Sequence, residues 1–109
     1  MKGFQVTSFT LQNRRHGRTQ MHEWLMQQAK ACGIRGSTAL VGAEGIDHTG
    51  RWHSAHFFEL ADQPIEVTMA MTEEQATTLF EILERDKVNI FYVKASVEFG
   101  MIGSTSGAG

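Results

Sequence analysis

Two stretches of the chain alternate between apolar and more polar side chains. In residues 91–99 the apolar positions are Phe91, Val93, Ala95, Val97 and Phe99. In residues 65–71 they are Ile65, Val67, Met69 and Met71. A period of two is typical of β-strands, because successive side chains point to opposite faces of a sheet. The chain is therefore predicted to build a β-sheet from at least these two strands.

The spacing of apolar residues also predicts two helices. The first begins at Thr19 and is stopped by Gly33 in the C′ position. The second follows Thr72-Glu73-Glu74-Gln75, which has the sequence of a capping box. The apolar stripes are Met21, Trp24, Leu25, Ala29 and Cys32 in the first helix, and Ala76, Leu79, Phe80 and Leu83 in the second.

Three further extended runs complete the pattern: residues 4–11, 37–43 and 54–60, with residues 12–17 as a loop. The order β-α-β-β-α-β predicts a ferredoxin-like α+β fold, in which two helices cover one face of an antiparallel sheet. With 109 residues, the chain is expected to form one domain, residues 1–100, followed by a flexible C-terminal tail, residues 101–109.

The strands carry large apolar side chains on both faces. Ile90 and Tyr92 alternate with Phe91 and Val93, and Phe57 is followed directly by Phe58. A two-layer domain leaves its second sheet face in water, so these residues predict that another subunit covers that face. Oligomerisation is also the usual support for so small a core.

Composition excludes several classes of protein. The net charge of −2 is unlike the basic excess of nucleic-acid-binding proteins. No apolar run approaches the roughly 18 residues that span a bilayer, and the N-terminus lacks the apolar region of a signal peptide. The single cysteine, Cys32, cannot form an internal disulfide, which predicts a cytoplasmic protein in a reducing environment. Cys32 itself is interpreted as a small hydrophobic residue at a helix end.

Residues 33–60 hold the candidate functional residues. This segment contains five glycines, three histidines and two arginines. Gly42 and Gly45 could bring backbone amides close to an anion, and His48, Arg51 and His53 supply side chains that bind phosphate or carboxylate. A second basic patch, Arg14, Arg15 and Arg18 with His16, precedes the first helix and is an alternative anion site.

The sequence fits two other chemistries, metal binding and catalysis, less well than anion binding. His48, His53 and His56 could ligate a metal, but His53 and His56 point to opposite faces of an extended strand and no cysteine completes a ligand shell. No metal site is therefore predicted within one subunit. Ser54 lies between two histidines without the geometry of a nucleophile elbow, so no catalytic residue and no enzyme activity are predicted.

Together these segments resemble a known family. The order of elements, the long loop between the second and third strands and the run from Gly33 to Thr72 are similar to the PII-like signalling proteins. The match is closest to the branch called domain of unknown function 190, with its GxxGxTxxxGxxGxxxxGxxH pattern followed by a strand and a proline turn. The resemblance covers roughly residues 4–99.

The resemblance implies a homotrimer in which residues 42–55 correspond to the PII T-loop. It implies a small effector (an adenine nucleotide or another anion) between subunits at the base of that loop, and a target protein (a transporter, enzyme or regulator) that the loop controls. The chain departs from true PII proteins in four places. Pro64 stands where they carry a phosphate-binding lysine, and residues 86–89 replace their glycine-rich phosphate loop. The T-loop counterpart has no tyrosine, and residues 100–109 have no counterpart of their C-terminal arginines. The alternative is a metal-binding trimer like the CutA relatives, which share the core.

Overall fold

A computed structural model describes residues 1–41, 44–46, 52–54 and 63–103, with the backbone alone at 44–46 and 52–54. These residues form eight strands and two helices in the order β1 (Lys2–Leu11), β2 (Arg15–His16), β3 (Thr19–Gln20), α1 (Met21–Ala31), β4 (Gly36–Val41), β5 (Glu44–Ile46), β6 (Trp52–Ser54), β7 (Pro64–Thr72), α2 (Glu73–Arg85) and β8 (Phe91–Glu98).

The main sheet confirms the ferredoxin-like prediction. Its four strands lie in the order β4-β7-β1-β8, and each neighbouring pair is antiparallel. The central strand β1 pairs with β7 on one side and with β8 on the other, so that Phe9 lies opposite both Glu66 and Phe91. The long strands β1 and β7 thus form the middle of the sheet, and β4 and β8 are its edges.

The helices cover one face of this sheet. On this face β1 buries Val6, Ser8 and Thr10, and β7 buries its odd-numbered residues from 65 to 71. They pack against the apolar stripes that the sequence predicts for the helices. The buried apolar core consists of Val6, Met21, Trp24, Leu25, Ala29, Ile34, Ile65, Val67, Met69, Met71, Ala76, Leu79 and Leu83.

The opposite face, here called the open face, has no covering layer among the described residues. Its exposed apolar side chains include Leu40 on β4, with 57% of its surface accessible, and Phe91 and Val93 on β8, with 50% and 51%. The rings of Phe9 and Phe91 contact each other across the strands, with centroids 5.6 Å apart. The alternating apolar residues of the last strand therefore lie on the open face and not in the core.

The ends of both helices follow from local sequence. Gly33, with φ of 81°, ends α1 as predicted, and the Ile34 amide donates to the Ala29 carbonyl at 2.9 Å, as in a Schellman motif. The capping box of α2 is confirmed: the Gln75 amide donates to the Thr72 hydroxyl at 3.1 Å, and the Thr72 amide donates to the Gln75 side chain at 2.9 Å.

The first connection differs from the prediction. Helix α1 begins at Met21 and not at Thr19, because Thr19 and Gln20 form a strand. The segment predicted as a loop contains β2, which pairs with β3 around a tight turn at Gly17, whose φ is 63°. Left-handed backbone at glycine supplies the turn that a two-residue hairpin loop requires. A small β-hairpin, residues 15–20, therefore precedes α1.

The second predicted strand is observed with a different start, and most of the third lies outside the described residues. The strand predicted at residues 37–43 is observed as Gly36–Val41, and residues 42–43 lie outside the described part. Of the strand predicted at 54–60, only Ser54 is described, and it belongs to a ribbon in which β5 pairs with β6. The predicted strand at 65–71 is confirmed as Pro64–Thr72. Neither described helix is long and apolar enough to cross a bilayer.

The C-terminus of α2 contains a conformation that favours glycine but holds lysine. Lys87 has φ of 55°, and it alone among the described non-glycine residues has a positive φ. It occupies the C′ position of a second Schellman motif, in which the Val88 amide donates to the Leu83 carbonyl at 2.9 Å. A residue with a Cβ atom costs about 1–2 kcal/mol in this region of φ/ψ space.

We expect Lys87→Gly to raise the free energy of unfolding by about 1 kcal/mol, because glycine adopts this conformation without strain. Lys87→Ala is the matched control, since alanine removes the charge but keeps the Cβ atom and should give no comparable gain. Urea denaturation of the three proteins measures the difference. Equal stability of the glycine and alanine variants would show that the backbone at residue 87 is not strained.

Gly3 tests the packing of β1 against β7. A Cβ atom at this position would collide with the carbonyl group of Met71 and the Cα atom of Thr72. We expect Gly3→Ala to destabilise the protein by about 2–3 kcal/mol, because backbone atoms of the neighbouring strand cannot move aside at low cost. At Gly100 a Cβ atom would meet nothing within 4 Å, so Gly100→Ala is the control. Similar melting temperatures for the two variants would contradict this close approach.

Candidate functional site

The antiparallel register brings three connections to the same end of the sheet. Leu11, the last residue of β1, lies opposite Pro64, the first residue of β7. Val41, at the end of β4, lies opposite Ile65. Strand β8 begins here as well, since Phe91 is opposite Phe9. We call this end of the sheet the loop end. The hairpin, the turn between α2 and β8, and both ends of the connection from β4 to β7 lie here.

Backbone hydrogen bonds fix the hairpin at the loop end. The Gln12 amide donates to the Gln63 carbonyl at 2.9 Å, which ties the start of the hairpin to the residue before β7. The Met21 amide donates to the Arg14 carbonyl at 2.8 Å and so joins the hairpin to the first residue of α1. The position of the basic patch is thus set by the backbone of three elements.

The two arginines predicted to bind an anion have different surroundings. Arg14 is partly buried, and its Nη2 donates to the carbonyl oxygen of Asn89 in the turn between α2 and β8. Arg15 is exposed, and its Nη1 donates to the Arg18 carbonyl within the hairpin at 3.0 Å. Each guanidinium group has five N–H donors, so one bond to a carbonyl leaves further donor capacity. Arg14 therefore connects the hairpin to the α2–β8 turn, while Arg15 is oriented within the hairpin.

A second contact between the same two elements involves His16. Its ring lies against the indole of Trp24, with centroids 4.1 Å apart, and its Nε2 is 4.0 Å from Oδ2 of Asp86. Asp86 also accepts from Nε of Arg85 at 3.2 Å. The carboxylate of Asp86 thus already has a cationic neighbour in Arg85, which lessens its repulsion of an incoming anion.

The structure adds Lys87 and Asn89 to the candidate site. Both are exposed and lie in the turn that Arg14 contacts. Sequence reasoning described this turn only as a reduced phosphate loop, because the left-handed backbone of Lys87 has no sequence signal. A strained non-glycine residue beside a basic cluster is a common property of binding sites.

The other predicted ligand residues lie in the connection from β4 to β7. Gly45 and His53 are direct partners in the β5–β6 ribbon, so the structure brings these two backbone positions together. Gly42, His48 and Arg51 lie outside the described residues. Their predicted role in binding remains a prediction.

The described residues offer no alternative metal centre. No group of three or more histidine, cysteine, aspartate or glutamate residues within them could hold a metal ion. Cys32 is the C-cap residue of α1 and packs against the core, and burial raises the pKa of its thiol. A raised pKa keeps the thiol protonated and weakly nucleophilic at neutral pH, as expected for a small hydrophobic residue.

Solved structures with this fold are PII-like proteins. The structure of CPII, a nitrogen regulatory PII-like protein from Thiomonas intermedia K12, bound to ADP, AMP and bicarbonate, is 17% identical and has a TM-score of 0.62, over 89% of each chain. The same protein bound to ADP and bicarbonate gives 16% and 0.60, again over 89% of each chain. A PII-like signalling protein from Thermus thermophilus gives 15% and 0.64, over 88% of this chain and 87% of that one.

Sequence comparison assigns the family. A search of curated proteins found no match. The model of the family DUF190, described as an uncharacterized ACR, matches residues 3–98, which include both helices, the loop end and all of the main sheet except Lys2. The chain therefore belongs to the DUF190 family, and its fold is that of the PII-like proteins.

Proposed function

We propose that this protein is a cytoplasmic PII-like regulator that forms a homotrimer, binds a small anionic effector at the loop end between subunits, and controls a target protein through residues 42–55. Its role is signalling and not catalysis. The observation that carries the proposal is that the basic hairpin, the Lys87 turn and both ends of the long loop lie at the same end of the sheet.

Convergence matters because it couples a ligand to the loop. The hairpin is bonded to Gln63, the last residue before β7, and Arg14 is bonded to Asn89. A ligand that contacts Arg15 therefore binds the segment that the Gln12–Gln63 bond ties to the end of the long loop, and one that contacts Lys87 reaches the same segment through the bond between Asn89 and Arg14. A ligand changes the loop to the extent that it binds one loop conformation more tightly than the others.

The chemistry of the loop end favours an anion with planar or tetrahedral oxygens. Arg14, Arg15 and Lys87 are cations, and a guanidinium group can bind phosphate or carboxylate in a bidentate manner. CPII has been solved with ADP, AMP and bicarbonate, all of which are anions. We propose an adenine nucleotide as the effector of this chain, with its phosphates toward the loop end.

The open face supports the trimer. Leu40, Phe91 and Val93 are about half exposed on a sheet face that no described residue covers. Contiguous apolar side chains of this kind are typical of surfaces that contact another subunit. A trimer that packs its open faces together buries them and places the three loop ends beside subunit boundaries.

The trimer is tested by sedimentation equilibrium. We expect a mass three times that of the 12.2 kDa chain. Val93→Glu should weaken assembly by roughly 100-fold or more, because it would bury a carboxylate in an apolar contact. Ser96→Glu places the same charge on the other face of the same strand and should leave the trimer intact. A monomeric wild-type protein, or equal effects of the two variants, would contradict the proposal.

The effector site is tested by calorimetric titration with ADP. We expect Arg51→Ala and Arg15→Ala each to weaken binding by roughly tenfold, the loss of one charged hydrogen bond, with little change in melting temperature. Lys30→Ala is the control, since Lys30 lies in the last turn of α1 at the opposite end of the sheet. If His48 or His53 binds as an imidazolium, affinity also falls as the pH rises through about 6–7.

The outcomes separate the alternatives. Unchanged affinity in Arg51→Ala would place the site at Arg14 and Arg15 alone, and unchanged affinity in both variants would exclude the loop end. The Lys87→Gly variant should bind ADP more weakly, because it lacks one cation of the site, although its folded state is more stable. Such a trade between stability and binding is common where a binding residue has a strained backbone. In a thermal-shift screen, a response to copper, zinc or nickel and to no nucleotide would indicate a metal-binding trimer like CutA.

A further inference from the structure

The chain continues beyond β8 with two strongly exposed apolar residues. Met101 has 77% of its surface accessible and Ile102 has 100%, the two highest values among the large apolar residues that the structure describes as exposed. Glycines flank the pair: a Cβ atom at Gly100 would meet nothing within 4 Å, and Gly103 has φ of 81°. Water is an unfavourable environment for adjacent side chains of this size.

The same end of the molecule carries a hollow on the open face. It has a volume of about 480 Å³ and runs across all four strands of the main sheet. Its apolar lining includes Leu40, Val97 and Phe99, and its polar lining includes Gln5 and Thr38. Phe99 is also the residue at which the tail leaves the sheet, because its amide donates to the Met1 carbonyl at 2.8 Å and its carbonyl accepts from the Met1 amino group at 2.7 Å.

We propose that Met101 and Ile102 form a hydrophobic clip that lies in the hollow of a second copy of this chain. The inference rests on the proposed trimer and deepens it, because it assigns a specific segment to the surface between subunits. The clip adds aliphatic contacts where the open face is hollow, and the exposed face around Phe91 and Val93 meets its counterpart directly.

The exposure of the clip argues for a neighbouring subunit and not for the chain's own face. Phe99 lines the hollow, so Met101 and Ile102 begin within two or three residues of it. In spite of this proximity Ile102 makes no contact that reduces its exposure. The two bonds between Phe99 and Met1 continue the pairing of β8 with the N-terminal end of β1, so the tail begins where this pairing ends.

Cysteine cross-linking tests this arrangement in the trimer. All proteins carry Cys32→Ser, which removes the native thiol. One chain also carries Ile102→Cys and a co-expressed chain of different mass carries Thr38→Cys. We expect oxidation to give a disulfide-linked heterodimer. The control replaces Thr38→Cys with Thr77→Cys, an exposed position on α2, and should give no such product.

A second measurement follows assembly without added thiols. Ile102→Glu should weaken the trimer by about tenfold in sedimentation equilibrium, whereas deletion of residues 104–109 should leave it unchanged. A trimeric wild type with no heterodimer from Thr38→Cys would overturn the clip and leave the proposed function standing. A monomeric wild type would overturn both.

Discussion

The architecture depends on a sheet that is covered on one face only. Two helices supply enough apolar surface for the odd-numbered positions of β7 and the even-numbered positions of β1, and the core is built there. Nothing within the described chain does the same for Phe9, Phe91 and Val93. A chain of 109 residues has a small core, so burial of the uncovered face against another subunit would add to its stability. The proposed trimer follows from this constraint.

The antiparallel order of the sheet determines where function can reside. With β1 between β7 and β8, the last residues of β1 and the first residues of its two neighbours lie at the loop end. The hairpin is inserted there, and Arg14 and His16 each contact the turn after α2. The loop end is therefore a connected unit. The opposite end contains the close approach at Gly3 and the exposed tail, which serve packing and assembly.

Sequence reasoning predicted the fold well where periodicity is strong. The last strand, the strand before α2, the capping box at Thr72 and the helix stop at Gly33 all depend on neighbouring residues, and each is confirmed. The hairpin was missed because Arg15 and His16 are polar and too short a run to show a period. The ribbon of β5 and β6 was missed for a different reason, since it pairs residues across a glycine-rich segment that has no apolar pattern.

The candidate site was less predictable than the fold. Arg14 and Arg15 stood out as charges, but only the three-dimensional structure shows that Arg14 bonds to the backbone of Asn89. Lys87 is identified as a site residue by its left-handed backbone, and this conformation belongs to the Schellman motif and is not typical of lysine. Polar sites are built from residues distant in sequence, whereas helices and strands are specified locally.

Hydrogen exchange measured by mass spectrometry, with and without ADP and bicarbonate, tests the central claim most directly. The account predicts slower exchange in three sets of peptides, covering residues 12–20, 42–62 and 85–90, because the effector, the hairpin and the loop base form one unit. Peptides that cover α1 beyond its first turn should exchange at the same rate in both states. Protection confined to residues outside the loop end, or no change at saturating nucleotide, would contradict the account.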